Sequence, residues 1–299
     1  MSAAATSLKI GIVQMRCTPE PEQNFQCAVA MIGQAAEQGA RLVCLPELFR
    51  TQYFCQREDS RLFDLAETIP GPTTAALARL AQQLQLVLIA PVFEKRAAGL
   101  YHNSAVIIDA DGSVRGHYRK MHIPDDPEYY EKYYFAPGDL GFPACDTAAG
   151  RIGVQICWDQ WYPEAARLTA LHGADILFYP TAIGWHPRDP AQLREQQRDA
   201  WRTVQRSHAI ANGTFVVAVN RVGLEVFNPG TDGIDFWGTS FIADPFGVVL
   251  AEAGTACEEV IVHELDLRRV EQVRRDWPFL RDRRIDAYGG ITARFADRK

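Results

Sequence analysis

Three polar residues stand where apolar, strand-like runs of the sequence end, and together they could carry out acyl transfer. Glu47 ends RLVCLPE, Lys120 ends GSVRGHYRK and Cys157 ends RIGVQIC. A cysteine can attack a carbonyl carbon, a carboxylate can take the thiol proton, and a cation can stabilise the oxyanion that forms. Taken singly, each residue more often has a structural role, as a packed thiol, a strand-end carboxylate or a solvated basic edge.

The sequence around Cys157 sets it apart from the other six cysteines. Gly153 to Ile156 predicts a buried strand, and PEAARLTALHG (163–173) predicts a helix that begins at Pro163 and ends at Gly173. A helix N-terminus close to the sulfur would favour the thiolate. This arrangement is similar to a nucleophile elbow in geometry only, because the G-x-S-x-G sequence is absent. None of the seven histidines has a papain-like signature around it.

Strand and helix patterns alternate along the chain and must position these residues. Hairpins, the first with Asp111-Gly112 at its turn, interrupt the alternation, which therefore predicts an α/β fold with mixed sheets covered by helices. The predicted strands are 8–15, 41–47, 86–95, 174–180 and 214–223, the predicted helices are 21–39, 71–85, 163–173 and 192–212, and the predicted hairpins are 101–120 and 237–254.

Composition limits the classes of partner. No Pro-, Ser- or Gly-rich linker divides the 299 residues, and a hydrophobic content of 47% suits one sizeable core, so we expect a single domain over 1–299. The formal charge of −6 and a pI near 5.7 provide no overall basic surface for nucleic acid or an anionic membrane. Small molecules and further copies of the same chain are the expected partners.

The N-terminus and the cysteines predict a cytoplasmic protein. MSAAATSLKI has neither a positively charged start nor an apolar signal core, and the apolar runs are shorter than the ~20 residues of a membrane helix. The seven cysteines are scattered, without a C-x-x-C pair or a Cys/His cluster at zinc spacing. Reduced thiols in a reducing compartment follow.

Three stretches together resemble the nitrilase superfamily of carbon-nitrogen hydrolases. They are LPELFRTQYF, HYRKMHIPDDPEYYEKYYFAPGD and GVQICWDQWYPEAAR, and they occur in the order that the family has. The resemblance covers almost the whole chain. It implies an α-β-β-α four-layer sandwich of mixed sheets flanked by helices, homo-oligomers built from dimers, and neither a metal nor an organic cofactor.

Carried onto this sequence, the resemblance implies a catalytic triad. Glu47 would be the general base, Lys120 the oxyanion stabiliser and Cys157 the nucleophile. The backbone N–H of Trp158 would complete the oxyanion hole.

The resemblance also implies a second glutamate shortly after the lysine. It would orient the lysine and help to position the substrate. It falls on Glu128 in PDDPEYYEKYY, with Glu131 as the competing assignment.

The stretch WDQWYPEAARLTALHGADILFYPTAIGWHP is most similar, within the superfamily, to the N-carbamoylputrescine amidohydrolases. This similarity implies hydrolysis of N-carbamoylputrescine to putrescine, ammonia and carbon dioxide. N-carbamoyl amino-acid amidohydrolases and β-ureidopropionase are the alternatives. A catalytically silent binding or regulatory subunit is the alternative outside enzymes, because a fold does not guarantee activity.

A carbamoylated amine carries an ammonium group, which carboxylates and aromatic faces bind, whereas a carbamoylated acid requires an arginine. The acidic and aromatic residues near the expected site favour the amine. The candidate substrate-binding residues are Asp125, Asp126, Tyr130, Trp158 and Trp185, with Tyr129, Asp159 and Trp161 nearby. Arg188 and Arg194 would favour a carboxylate substrate if either faced the pocket.

The C-terminal segment from about residue 277, WPFLRDRRIDAYGGITARF, combines arginines with aromatic and apolar residues. In the superfamily such a tail often crosses to a neighbouring subunit. We therefore expect the tail at a subunit interface of a homo-oligomer. The alternative is a tail folded back on its own domain.

Overall fold

The computed structural model describes residues 7–297, so residues 1–6 and 298–299 of the predicted domain 1–299 lie outside the described residues. The helices within this part of the chain are α1 (Pro21–Glu37), α2 (Pro72–Leu84), α3 (Glu131–Tyr134), α4 (Pro163–Leu171), α5 (Ala191–Asn212) and α6 (Arg268–Asp276). The strands are β1 (Ser7–Gln14), β2 (Leu42–Cys44), β3 (Val87–Ala97), β4 (Leu100–Ile108), β5 (Val114–Arg119), β6 (Ala144–Thr147), β7 (Gly150–Val154), β8 (Ile176–Thr181), β9 (Gly184–Trp185), β10 (Phe215–Asn220), β11 (Val222–Glu225), β12 (Ile234–Trp237), β13 (Phe241–Ala243), β14 (Val249–Glu252) and β15 (Glu259–Asp266).

The first sheet has the strand order β15-β1-β2-β3-β4-β5. Its central strands β1, β2 and β3 are parallel, and the remaining pairs are antiparallel. Helices α1 and α2 cover its outer face. The spacing of Ala28, Ile32 and Ala35 places them on one face of α1, where they pack in the same cluster as Val43 and Leu88 of the sheet.

The second sheet has the strand order β14-β13-β10-β8-β7-β6. Strands β7, β8 and β10 are parallel, and α4 and α5 cover the outer face. Ala166 of α4 and Trp201 and Ala209 of α5 share a buried cluster with Leu177 and Val216. A strand that is buried on both faces has a continuous apolar sequence, and β8 and β10 are mainly apolar along their length.

The inner faces of the two sheets pack together into the main core. Ile12 and Ile89 of the first sheet share this cluster with Val154, Phe178 and Val217 of the second. Two sheets with helices outside each of them form four layers in the order α-β-β-α. The predicted α-β-β-α sandwich is therefore confirmed. Each sheet is mixed, because its central strands are parallel and its edge strands are antiparallel.

The predicted strand 214–223 is wrong in one respect. The chain leaves the second sheet after Asn220 and enters a small three-stranded sheet with the order β11-β12-β9. Arg221 lies at the break, and Gly223 has φ 100°, a conformation that favours glycine. Trp237 also belongs to this small sheet, so the predicted hairpin 237–254 is reduced to β13 and β14.

No helix within residues 7–297 combines the length and the apolar character that crossing a membrane demands. All seven cysteines are free thiols. The cytoplasmic location stays a prediction.

Candidate active site

The ends of three strands bring the three polar residues to one edge of the sandwich. β5 is separated from β3 by two antiparallel pairings, so β5 runs in the same direction as β3 and β2. Lys120 follows β5 directly, Glu47 lies three residues beyond β2, and Cys157 lies three residues beyond β7 of the facing sheet. Strands that run in the same direction end at the same edge, which is where α/β folds place their sites.

The ammonium group of Lys120 is fully buried between two carboxylates. Its Nζ donates to Oε1 of Glu47 at 2.8 Å and to Oε2 of Glu131 at 2.6 Å. Asn103 Nδ2 also donates to Glu47 Oε1, at 2.7 Å. The other oxygen of Glu47, Oε2, is buried and has no hydrogen-bond partner among the described residues. One carboxylate oxygen thus holds the lysine and the other is free to accept a proton.

The charges of this cluster shift each other's titration. Burial disfavours a charged lysine, but the carboxylates of Glu131 and Glu47 outweigh it and hold the pKa of Lys120 well above its usual value. Burial raises the pKa of Glu131 to about 7, against the opposing effect of Lys120. The lysine is therefore a fixed cation at neutral pH, and Glu131 changes charge near neutrality.

The assignment of the second glutamate to Glu128 is corrected by the structure, which places Glu131 beside the lysine. Glu128 lies in the preceding turn with φ 62°, and its Oε2 is 3.0 Å from Nδ1 of His186. Glu131 is the first residue of α3, and it and Tyr134 are the buried residues of that helix. Glu131 and Tyr134 are three residues apart, a spacing that places two side chains on the same face of a helix. This spacing could have indicated Glu131 as the buried glutamate, but other acidic and aromatic residues surround it in the sequence.

Cys157 occupies a strained turn at the end of its strand. It has φ 44°, which is unusual for a residue other than glycine, and it begins a 3₁₀ turn, Cys157–Trp161. Its Sγ donates to the carbonyl of Ala182 at 3.7 Å. Burial and then the charge of Glu47 raise the pKa of the thiol well above its usual value. Both effects favour the protonated thiol and so oppose the stabilisation of the thiolate that was expected from a helix N-terminus.

Asp159 is a structural anchor that the sequence interpretation treated as a residue near the substrate. Its Oδ2 accepts hydrogen bonds from Tyr118 Oη at 2.7 Å and from the N–H of Ile156 at 3.0 Å. Its Oδ1 accepts from the N–H of His122 at 3.0 Å and lies 2.7 Å from that ring's Nδ1. The ring of His122 stacks on Tyr162. This carboxylate joins the nucleophile turn to the segment after β5.

A cavity of about 310 Å³ opens beside Cys157. Its lining is aromatic and acidic, and no arginine or lysine is among the described residues that form it. The aromatic and carboxylate side chains in the lining are Tyr129, Trp158, Trp161, Trp237, Asp126, Asp189 and Glu131. No group of three or more His, Cys, Asp or Glu side chains in residues 7–297 is arranged to hold a metal ion.

Comparison with known proteins adds to this geometry. The sequence profile of the carbon-nitrogen hydrolases matches residues 9–275. The chain belongs to the carbon-nitrogen hydrolase family. It is 45% identical to an N-carbamoylputrescine amidase of Solanum lycopersicum, over 93% of each chain. It is 41% identical to a citrullinase of Francisella tularensis subsp. tularensis, over 97% of this chain and 99% of that one.

A solved structure agrees with this membership. The crystal structure of a carbon-nitrogen hydrolase from Helicobacter pylori G27 superposes with a TM-score of 0.94 and 48% identity. The match covers 97% of this chain and 99% of that one. The predicted nitrilase-type fold and carbon–nitrogen hydrolase class are therefore confirmed.

Two of the predicted substrate-binding residues line the cavity of this hydrolase, and two from the same region do not. Asp126 and Trp158 form part of the wall. Asp125 is exposed to solvent. Tyr130 does not line the cavity, but its neighbour Tyr129 does. The hydroxyl of Tyr129 donates to the carbonyl of Gly184 at 3.3 Å. Adjacent residues of an irregular segment face different ways, so the sequence could not select between them.

Trp185 is also absent from the cavity lining. It packs against Trp237, and its Nε1 donates to the carbonyl of Arg194 at 2.9 Å. Arg194 itself donates to backbone carbonyls of the loop before α5. Arg188 is 83% exposed and pairs with Asp232. Neither arginine of the hydrolase faces the cavity, because each has its own partners outside it.

Replacing Asp159 with asparagine tests the anchor. An amide cannot accept all the hydrogen bonds that the carboxylate accepts, and its NH₂ group would face other donors. We expect Asp159→Asn to lower the free energy of unfolding by about 1–3 kcal/mol in urea denaturation. Asp146→Asn is the control, since Asp146 is 79% exposed. An Asp159→Asn protein within about 0.5 kcal/mol of the wild type would contradict the assignment.

Proposed function

We propose that this hydrolase cleaves N-carbamoylputrescine to putrescine, ammonia and carbon dioxide through a thioester on Cys157. One observation carries the proposal. The buried cation of Lys120 is held by two carboxylates and interacts electrostatically with the buried thiol of Cys157, which lies at the wall of an aromatic and acidic cavity. Nucleophile, base and oxyanion stabiliser are the parts that acyl transfer from a carbon–nitrogen bond requires.

The first half of the reaction forms the thioester. The S–H bond turns from the Ala182 carbonyl to Glu47, whose Oε2 is free to take the proton. The sulfur attacks the carbamoyl carbon, and Lys120 with the N–H of Trp158 stabilises the oxygen as it gains negative charge. The first N–H groups of a helical turn have no partner within the turn, so the N–H of Trp158 is suited to this role. The C–NH₂ bond breaks, the proton on Glu47 passes to the leaving nitrogen, and ammonia departs.

The second half releases the product. Glu47 takes a proton from water, and the hydroxide oxygen attacks the thioester carbon. The carbon–sulfur bond breaks, and the proton returns to the sulfur to restore the thiol. The released N-carboxy amine loses carbon dioxide and leaves the free amine. The same carboxylate therefore serves each half, as general base and then as general acid.

The cavity lining supports an amine at the far end of the substrate. Asp126 and Asp189 provide negative charge, and Trp158, Trp161 and Trp237 provide aromatic faces for a cation or an alkyl chain. The relative from Solanum lycopersicum, 45% identical, is an N-carbamoylputrescine amidase. A negatively charged lining disfavours a substrate that ends in a carboxylate.

Carbamoyl amino acids are the alternative substrates. A carboxylate at the end of the cavity would require a cation there, and both Arg188 and Arg194 are directed elsewhere. A catalytically silent subunit is disfavoured by the intact set of cysteine, lysine and two glutamates, because four buried ionisable groups are costly without a use.

Ammonia release by the purified protein tests the function. We expect the highest kcat/KM for N-carbamoylputrescine, compared with citrulline, N-carbamoyl-β-alanine, an N-carbamoyl-D-amino acid and a simple nitrile. Cys157→Ala should release none, since the nucleophile is gone. An unchanged rate in Cys157→Ala would refute the mechanism, and preference for an acidic substrate would refute the substrate assignment.

The pH dependence of activity tests Glu131. Its pKa of about 7 means that it gains a proton as the pH falls through neutrality and then holds Lys120 less firmly. Tyr53, whose hydroxyl donates to Glu131 at 2.6 Å, also faces this cluster, as do Glu47 and its partner Asn103. We expect kcat/KM to fall as the pH drops through about 7, and Glu131→Gln to lower it at every pH. Glu128→Gln is the matched control and should keep the wild-type profile. Equal profiles for the two variants would count against Glu131.

We also propose that the protein is a homo-oligomer built from dimers. Helix α4 exposes Leu168 and Leu171, and the C-terminal tail exposes Ile285, Ile291 and Phe295, the last by 81%. A cavity of about 520 Å³ separates the tail from α4 and α5. Exposed apolar side chains grouped in this way are typical of a subunit interface.

Light scattering tests the interface. We expect the wild type to have the mass of at least two chains of 33.4 kDa each. Replacing Ile291 and Phe295 together with aspartate should shift the mass towards one chain, because charge in an apolar contact disfavours association. Val114→Asp, at a site 49% exposed on β5, should not change it. A wild-type monomer at micromolar concentration would contradict the proposal.

A further inference from the structure

Arg221 is a fully buried cation that does not line the cavity. It lies between β10 and β11, and its guanidinium crosses to the loop after β2. Its Nη2 donates to the carbonyls of Glu47 at 2.6 Å and Leu48 at 3.0 Å. Its Nη1 donates to the carbonyl of Thr51 at 3.2 Å. Three backbone carbonyls of one short loop thus converge on a single side chain.

The loop held by Arg221 has an unfavourable backbone conformation. Leu48 has φ 49°, in the left-handed region that residues other than glycine rarely adopt. Such a conformation persists only where surrounding contacts enforce it. The left-handed residue directs the carbonyls of Glu47 and Leu48 to the same side, where the planar guanidinium binds both. Without these bonds the loop would relax, and the carboxylate that it carries would move.

A carboxylate balances the charge of Arg221 and connects it to the rest of the site. Glu225 accepts from Arg221 Nη1 at 2.9 Å through Oε1 and 3.1 Å through Oε2. Its Oε2 also accepts from the N–H of Tyr53 at 2.6 Å. The hydroxyl of Tyr53 donates to Glu131 at 2.6 Å, and Glu131 holds Lys120. Contacts therefore run from the arginine to the backbone of Glu47 and, through Glu225 and Tyr53, to the carboxylate of Glu131.

We propose that Arg221 is a positioning residue that sets the place of the Glu47 carboxylate relative to Cys157. This inference rests on the proposed role of Glu47 as the base, and it does not depend on which carbamoyl compound is the substrate. An arginine is required because its planar fork binds several carbonyls in fixed directions, whereas a lysine ammonium is a point charge on a flexible stem.

Arg221→Lys keeps the charge and removes the fork. We expect kcat to fall about 10²-fold, since a misplacement of about 1 Å at a reacting group can have that effect. KM should change by less than about threefold, because the residue does not touch the cavity. Arg274→Lys is the matched control. Arg274 also donates to two backbone carbonyls, those of Asn212 and Ala174, and has no contact with the site.

Alkylation of Cys157 by iodoacetamide, followed by mass spectrometry of its peptide, gives a readout independent of the carbamoyl substrate. If Glu47 accepts the thiol proton as the sulfur attacks, Glu47→Gln removes this acceptor and slows alkylation. Arg221→Lys should slow it towards the same rate, while Arg274→Lys should not. Wild-type kcat and alkylation rates in Arg221→Lys would overturn the proposal. A wild type inactive on N-carbamoylputrescine with slowed alkylation in Arg221→Lys would refute the function and retain the positioning role.

Glu225→Gln supplies the second test if Arg221→Lys does not fold. It keeps the size of the side chain and an acceptor for Tyr53 but removes the charge that balances Arg221. We expect slower alkylation of Cys157 and a lower kcat, each by less than in Arg221→Lys. Glu225→Gln with wild-type values in both measurements would overturn the proposal.

Discussion

The buried ammonium of Lys120 is the interaction on which the rest of the site depends. Burying a charge costs several kcal/mol unless opposite charges and hydrogen bonds replace the lost water. Two carboxylates provide them here, at 2.8 Å and 2.6 Å. If only one carboxylate faced the lysine, it would have to balance the whole charge of the ammonium group. With two, Glu131 shares the lysine and Glu47 keeps one oxygen free, so the arrangement can both hold a cation and accept a proton.

This cluster requires parts of the chain that are far apart in sequence to be fixed together. Two of them carry left-handed residues, Leu48 with φ 49° and Cys157 with φ 44°. Each such residue costs roughly 1–3 kcal/mol and is kept only by surrounding contacts. Arg221 holds the first turn and Asp159 holds the second. Buried side chains that do not line the cavity therefore hold both the base and the nucleophile in place.

Much of the fold and site could be predicted because the strands and helices show their own periodicity. The alternation of strand and helix indicated an α/β fold, and three strand-end motifs together indicated the superfamily. The second glutamate could not be predicted, because residues 125–131 offer two candidates and only the turn geometry selects Glu131. Asp125, Tyr130 and Trp185 failed as cavity residues for a related reason, since side-chain direction in irregular segments depends on tertiary contacts. No sequence pattern predicts that Arg221 is buried, because an arginine after a strand is usually exposed.

By itself, the sequence indicated the class of chemistry, because local hydrophobic patterns predict strands that end in a glutamate, a lysine and a cysteine, and the three motifs around these residues resemble the carbon-nitrogen hydrolases. Only the tertiary structure decided which glutamate holds the lysine, that burial raises the pKa of the Cys157 thiol, and that no arginine among residues 7–297 lines the cavity. These properties depend on distances and on burial between segments separated by many residues. Such quantities follow from how the two sheets pack, and no local pattern of residues contains them.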